Sequence, residues 1–306
     1  MSRAGIWSVT SFVILLTAFV WGKPGQLDKK ASEIDWKQVD QALGKSGALQ
    51  PDGAYKVGLP RGDLHVTVGD VAVKPALALG SWVAFKQLSD SEAMLMGDLV
   101  LLESEVGPVI GKLQEGGIEQ TALHNHLQHE SPHVMYLHIV GRGNPVKLAA
   151  AVHAALALTK TPFGTAATSA PAGAFGVDTA QIAQVLGYHG KVNGGVYQVG
   201  VARAESIVVD GVAIPPSMGL ATAINFQPTR KGRAAITGDF VLVGSEVNPV
   251  IRALRDNGIA ITAIHSHMLM DSPHLFFMHY WANDDAVKLA HGLRAALDKM
   301  NVKRAG

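Results

Sequence analysis

The feature that most constrains the fold is a long internal repeat. Shifting the chain against itself by 141 positions lays residues 75–156 over residues 216–297 without a gap. Gly97-Asp-Leu-Val-Leu-Leu-Glu-Ser-Glu-Val-Gly-Pro-Val-Ile110 then faces Gly238-Asp-Phe-Val-Leu-Val-Gly-Ser-Glu-Val-Asn-Pro-Val-Ile251, with ten identities in fourteen positions. Thr121-Ala-Leu-His-Asn-His126 faces Thr262-Ala-Ile-His-Ser-His267, Ser131-Pro-His133 faces Ser272-Pro-His274, and His138 faces His279. Upstream, after a one-residue gap, Arg61-Gly-Asp63 meets Arg203-Ala-Glu205. A period this long means tandem domains, not a solenoid. We place repeat domain 1 at 33–157, a linker rich in Ala, Thr, Pro and Gly at 158–176, and repeat domain 2 at 177–306. The two copies are expected to be related by a pseudo-twofold axis, as the halves of a symmetric dimer are.

The 306 residues suffice for two cores, and 26 Lys+Arg balance 25 Asp+Glu without a basic run, which disfavours nucleic acid as a partner. At the N-terminus Arg3 precedes an uncharged apolar run, Ile6 to Val20, and Val20 and Gly22 stand at the −3 and −1 positions of a cleavage site before Lys23. Residues 1–22 are therefore read as a secretory signal peptide, with an uncleaved anchor as the alternative. The run is short against the roughly 20 residues a bilayer span needs, so no stable membrane insertion is expected after cleavage. The expected location is the periplasm or another exported compartment. The chain has no cysteine, so any metal site must use His, carboxylate or Met ligands.

Each copy reads as α+β. Asp35 to Leu43 and Asp178 to Leu186 are amphipathic helices, and His65 to Val68 and Ser81 to Phe85 are strands. Met94 to Leu102 is a strand leading into a helix capped by Ser104, striped by Val109, Ile110 and Leu113, and stopped at Gly116-Gly117. Ile118 to Leu127 and Val134 to Val140 are strands, and Asn144 to Leu158 is a closing helix. The expectation is two tandem copies of a strand–helix–strand–strand–helix unit with additional antiparallel strands. The strand–helix–strand step predicts a parallel crossover that brings Glu105 and the His124-Asn125-His126 triplet to one sheet edge.

Nine of the thirteen histidines fall in the windows 124–138 and 265–279. His124 and His126, two apart on an expected strand, point to one face, and paired neutral imidazoles suit a transition metal. Glu105, at the helix start, is a third ligand or a general base. His133, nearer the expected edge, is placed ahead of His138 as the fourth ligand, because hairpin register decides between them. The second copy offers His265, His267, Glu246, His274 and His279. Against this stand the plain readings: buried histidines that tie a hairpin together, Glu105 and Glu246 as helix-capping charges, and His129 as a solvated turn residue. Met268, Met270 and Met278 would favour copper if they were ligands, but strand methionines are usually packing, so zinc is preferred. Arg61-Gly62-Asp63 looks like an integrin-binding triplet, but its partner Arg203-Ala-Glu205 points to a structural or ligand-contacting pair instead.

The segments Gly-Asp-Phe-Val-Leu (238–242), Glu-Val-Asn-Pro-Val-Ile-Arg-Ala-Leu (246–254), Leu-Phe-Phe-Met-His-Tyr-Trp-Ala (275–282), Leu-Gly-Ser-Trp (79–82) and Leu-His-Asn-His-Leu (123–127) resemble the LppY/LpqO family of exported bacterial proteins, built from a duplicated domain of unknown function. The resemblance implies export and brings no activity. Some members are lipoproteins, a pattern this cysteine-free chain departs from. The expected function is a metal-binding exported protein, either a metal-dependent hydrolase or a metal-handling protein. The alternatives are a non-catalytic protein that binds an envelope saccharide or small molecule, with Trp82, Tyr136, Phe276, Tyr280 and Trp281 as stacking surfaces, and a structural envelope protein.

Overall fold

Capping chemistry starts the same helix in both copies. In this computed structural model, which describes Met1, residues 34–164 and residues 175–304, Asp35 accepts from the Lys37 amide, opening α1 (Trp36–Leu43). Asp178 accepts from Ala180 and Gln181, opening α5 (Thr179–Leu186). Gly44 and Gly187, both in the left-handed region, close these helices. Residues 2–22 of the expected signal segment and the middle of the expected linker lie outside the described residues. Among the described residues no helix is long and apolar enough to cross a membrane.

The first copy continues through β1 (Ala48–Leu49), β2 (Tyr55–Pro60), β3 (Val66–Val68), β4 (Val71–Val73), α2 (Pro75–Ala78), β5 (Gly80–Gln87), β6 (Ala93–Leu102), α3 (Glu103–Glu115), β7 (Glu119–His124), β8 (Glu130–Ser131), β9 (Val134–Gly143) and α4 (Pro145–Leu156). The second copy repeats this order after α5: β10 (Lys191–Asn193), β11 (Val196–Ala202), β12 (Val208–Val209), β13 (Val212–Ala213), a 3₁₀ turn (Pro216–Met218), β14 (Ala221–Arg230), β15 (Arg233–Val243), α6 (Gly244–Asp256), β16 (Ala260–His265), β17 (Asp271–Ser272), β18 (Leu275–Asp285) and α7 (Ala286–Leu297). The main sheets are six-stranded, ordered β1-β2-β5-β6-β9-β7 and β10-β11-β14-β15-β18-β16. The α+β class and the duplicated unit are as expected.

The crossover departs from expectation in one respect. β6 and β7 do run parallel, but β9 lies between them and pairs antiparallel with both. The chain thus goes up β6, back through α3, up β7 and down the gap through β9. The carboxyl ends of β6 and β7 still share an edge, as the crossover argument required.

Period-two patterning sorts each strand into two faces. Leu95, Leu99 and Leu101 of β6 and Leu137 and Ile139 of β9 pack against α1, α3 and α4. The other face of β6 sends Met94 and Met96 into a cluster with Val241, Leu275 and Phe277 of the second copy, while Val100 packs with Tyr136, Val196 and Ala235. The two sheets therefore share an inner layer, with helices outside. Side-chain hydrogen bonds cross it: Gln227 links the Lys74 amide to the Ala72 carbonyl, and Thr262 Oγ1 donates to the His126 carbonyl. The described residues from 34 to 304 form a single compact unit.

Candidate metal centre

Charged and imidazole side chains on the inner layer are costly to bury unless they answer one another. On β6 that layer holds Asp98, directly opposite His138 on β9, and on β15 it holds Asp239, opposite His279 on β18. His124 ends β7 opposite Tyr136, and His265 ends β16 opposite Phe277. β7 and β16 stop at these residues, so His126 and His267 stand in the following loops, not on the expected longer strand. All six rings nevertheless meet.

They meet across the axis between the copies, which corrects the expectation of a separate spot in each half. His124 stacks on its own counterpart His265 with ring centroids 3.6 Å apart. His126 lies against His279 with ring centroids 3.6 Å apart and the rings tilted by 31°, and in the equivalent pair His267 stacks on His138 at 3.5 Å. Within each copy the Nε2 atoms of His138 and His124 lie 3.0 Å apart, and those of His265 and His279 lie 2.7 Å apart. Nitrogen atoms of His124, His265, His267 and His279 fall within 4.8 Å of one another, as do ligand atoms of His126, Asp239 and His279. These groups could hold a metal ion.

The electrostatics suit a cation. Burial holds the His138 ring down to about 3 and, with help from His279, the His265 ring down to about 4. Burial lowers His124, His126 and His267 as well, with His265, His279 and His138 respectively as the next cause. Imidazoles held neutral are ready to ligate. Burial and then the Asp239 charge raise Asp98 well above the carboxylate range. For Asp239 the burial effect is outweighed by His279 and His126, which hold it low, and its Oδ1 lies 2.5 Å from His279 Nδ1. Asp98 Oδ1, His126 Nδ1 and His267 Nε2 are buried without a hydrogen-bond partner among the described residues. Such orphans are rare in folded proteins and call for an explanation.

The other nominated residues stand elsewhere. Glu105 accepts from the Leu102 amide at 2.8 Å, closing the start of α3, and from Arg61 Nη1 and Nη2 at 2.7 and 3.1 Å. Glu246 does the same for Val243 and Arg203, and its second oxygen also accepts from the Asn301 amide at 2.8 Å. These are the capping charges of the plain reading, each locked to a buried arginine. Arg61 is fully buried and also holds Asp63 and the Val100 carbonyl, so the Arg-Gly-Asp triplet is a structural knot. Hairpin register puts His138 into the cluster and leaves His133 outside it, exposed and 2.8 Å from Glu130. His274 is likewise outside, on Asp271. His129 is an exposed turn residue with positive φ.

The carboxylates that do enter, Asp98 and Asp239, escaped sequence reasoning. The signal was present: a lone charge in the apolar run Met94 to Leu102, repeated at the same offset in the best-matched block.

The cluster is open on one side. A cavity of about 160 Å³ reaches His138 and His267 and is lined by Met96, Met218, Met268 and Met270. A second, about 210 Å³, reaches Asp98, Asp239 and Lys56. Trp82 lines both, with the Lys56 ammonium 4.1 Å from its ring. Gly219, at a φ of +88°, comes so close that a Cβ would lie 2.9 Å from the ring. Met278 belongs instead to the helix-facing core, and Tyr136 and Tyr280 are buried.

A family model described as Domain of Unknown Function (DUF1259) matches residues 37–158 and again residues 180–299. No curated protein matches the chain. Among solved structures, the chain is similar to the trimeric bacterial microcompartment shell protein PduB at 12% identity, covering 85% of this chain and 97% of that one, with a TM-score of 0.25. It is also similar to EtuB from Clostridium kluyveri at 9% identity, covering 83% and 91%, with a TM-score of 0.20. At such scores neither likeness carries an argument.

Proposed function

The chain belongs to the family described as Domain of Unknown Function (DUF1259), carrying its domain twice, and we propose that the pairing of the two copies serves to build one transition-metal centre on their shared axis. Two groups of donors come within reach of a single ion: His124 with His265, His267 and His279, and His126 with Asp239 and His279. Imidazoles, alone or with a carboxylate, make a donor set for zinc, and each group draws on both copies. The observation that carries this reading is the convergence of those rings together with the unpartnered Asp98 Oδ1, His126 Nδ1 and His267 Nε2.

The cavities beside His138 and His267 support a hydrolytic use, because a small molecule can reach the cluster from that side. A metal bound there would supply an acidified water. Asp98 and Asp239 border the second cavity, where a carboxylate can take up or return a proton. Glu105 and Glu246 keep the capping role. Export, residues 1–22 as its signal, the narrower LppY/LpqO membership and the division at residues 158–176 belong to the same reading.

Purification without chelator followed by elemental analysis tests it. The expected result is a stoichiometric transition metal, predominantly zinc, lost in a folded His126→Ala or His267→Ala protein. Absence of metal after incubation with zinc and dialysis would end the reading. The four methionines lining the cavity favour a second reading, copper(I) handling, and copper displacing zinc in a competition dialysis would select it.

A further inference from the structure

The second copy carries a hydrogen-bonded serine, histidine and aspartate that the metal centre does not use. Ser266 Oγ lies 3.1 Å from His274 Nε2, and His274 Nδ1 lies 2.8 Å from Asp271 Oδ1. The Asp271 side chain is fully buried, and its other oxygen accepts from the Leu275 amide at 2.7 Å. This carboxylate is therefore fixed by backbone and can only accept. It holds the proton of the neutral imidazole on Nδ1 and leaves Nε2 as an acceptor facing the hydroxyl. The His274 ring is about half exposed, so a molecule from solvent can reach the Oγ–Nε2 contact. The Leu275 carbonyl, 3.1 Å from the same Oγ, competes for the hydroxyl proton in the resting protein.

From this geometry we infer that Ser266, His274 and Asp271 form a nucleophilic triad that accepts an acyl group from an ester. Such triads are recognised by geometry and role, whatever the fold or chain order. Ser266 Oγ bonds to the carbonyl carbon while its proton passes to His274 Nε2. The imidazolium, steadied by Asp271, gives that proton to the departing alkoxide as the ester C–O bond breaks. Water, losing a proton to Nε2, then releases the acid and restores the serine. Leu269 and Met270, both exposed in the same loop, make the adjoining surface apolar and favour a hydrophobic acyl chain.

The first copy supplies an internal comparison. Its equivalent histidine and acid are retained, His133 and Glu130 at 2.8 Å, but Asn125 stands where the serine would be and gives its amide to the Leu127 carbonyl at 3.1 Å. The imidazole–carboxylate pair without a nucleophile is thus compatible with this fold, and of the two copies the second carries the hydroxyl.

The test is labelling of the full chain with a fluorophosphonate probe, located by peptide mass spectrometry, with and without chelator. The proposal expects single-site labelling at Ser266, indifferent to chelator, and turnover of a short-chain p-nitrophenyl ester. Labelling and turnover should both fall at least tenfold in Ser266→Asn, which installs the residue the first copy folds with, and in His274→Gln. Labelling no faster than at other serines, or unchanged in His274→Gln, overturns it. Loss of ester turnover on chelation, with Ser266 still unlabelled, assigns hydrolysis to the metal centre and overturns the triad alone.

Discussion

Acidifying the metal-free protein from pH 7 to pH 4.5 should remove about 5 kcal/mol of folding stability, because the histidine cluster must be neutral to be buried. His138 and His265 are held down to about 3 and about 4, whereas in the unfolded chain they titrate near 6.5. Below about 6.5 the unfolded state binds protons that the folded state refuses, so stability falls as the pH falls. Each such histidine contributes a slope of about 1.4 kcal/mol per pH unit, and two of them over two units give about 5 kcal/mol. His126 and His267 act in the same sense. Asp98, which burial and the Asp239 charge push upward, acts in the opposite sense. The loss should level off below the folded-state values, near pH 3. It is comparable to the whole net stability of an ordinary domain. Urea titrations in chelator, followed by tryptophan fluorescence at half-unit pH steps, measure it. At m values of about 2–3 kcal/mol/M the midpoint should move by roughly 2 M. A midpoint that is flat or rising between pH 7 and 4.5 would refute the claim that these rings are buried neutral.

Other outcomes follow from the same contacts. Gly238→Ala should cost more than about 3 kcal/mol, since its Cβ would fall 1.9 Å from the Ala223 carbonyl oxygen of the neighbouring strand; thermal or urea unfolding reads this. Glu246→Ala should cost about 3–5 kcal/mol by leaving the buried Arg203 short of a partner, with metal content unchanged in whatever folds, as measured by elemental analysis. His133→Ala and His274→Ala should leave metal content unchanged, whereas His279→Ala, which removes a donor from both groups, should lower it, as elemental analysis reads.

The repeat made the fold legible, because ten identities in fourteen positions around Gly97 and Gly238 can only mean the same element twice. The amphipathic pattern of residues 35–43 and 178–186 announced α1 and α5, which Asp35, Asp178 and the following glycines cap. Strand insertion is a different kind of information. Nothing local to residues 134–143 says that β9 slips between β6 and β7, since that choice is made by pairing across the sheet. The site followed the same division. The His-x-His pairs were visible as motifs, but whether His133 or His138 joined them depended on register, and a one-residue slip exchanges the faces. The merging of two clusters into one depended on which sheet faces were turned together. Asp98 and Asp239 were legible in principle, as charges in apolar strands, but the helix-start glutamates were the more conspicuous acids.

The most direct measurement is anomalous diffraction at the zinc edge from crystals of protein loaded with zinc. The account expects density on the pseudo-twofold axis or in a symmetric pair about it, at roughly 2.0–2.1 Å from imidazole nitrogens contributed by both copies. Density confined to the surface histidines His133 and His274, or a dry cluster with no peak, would contradict it.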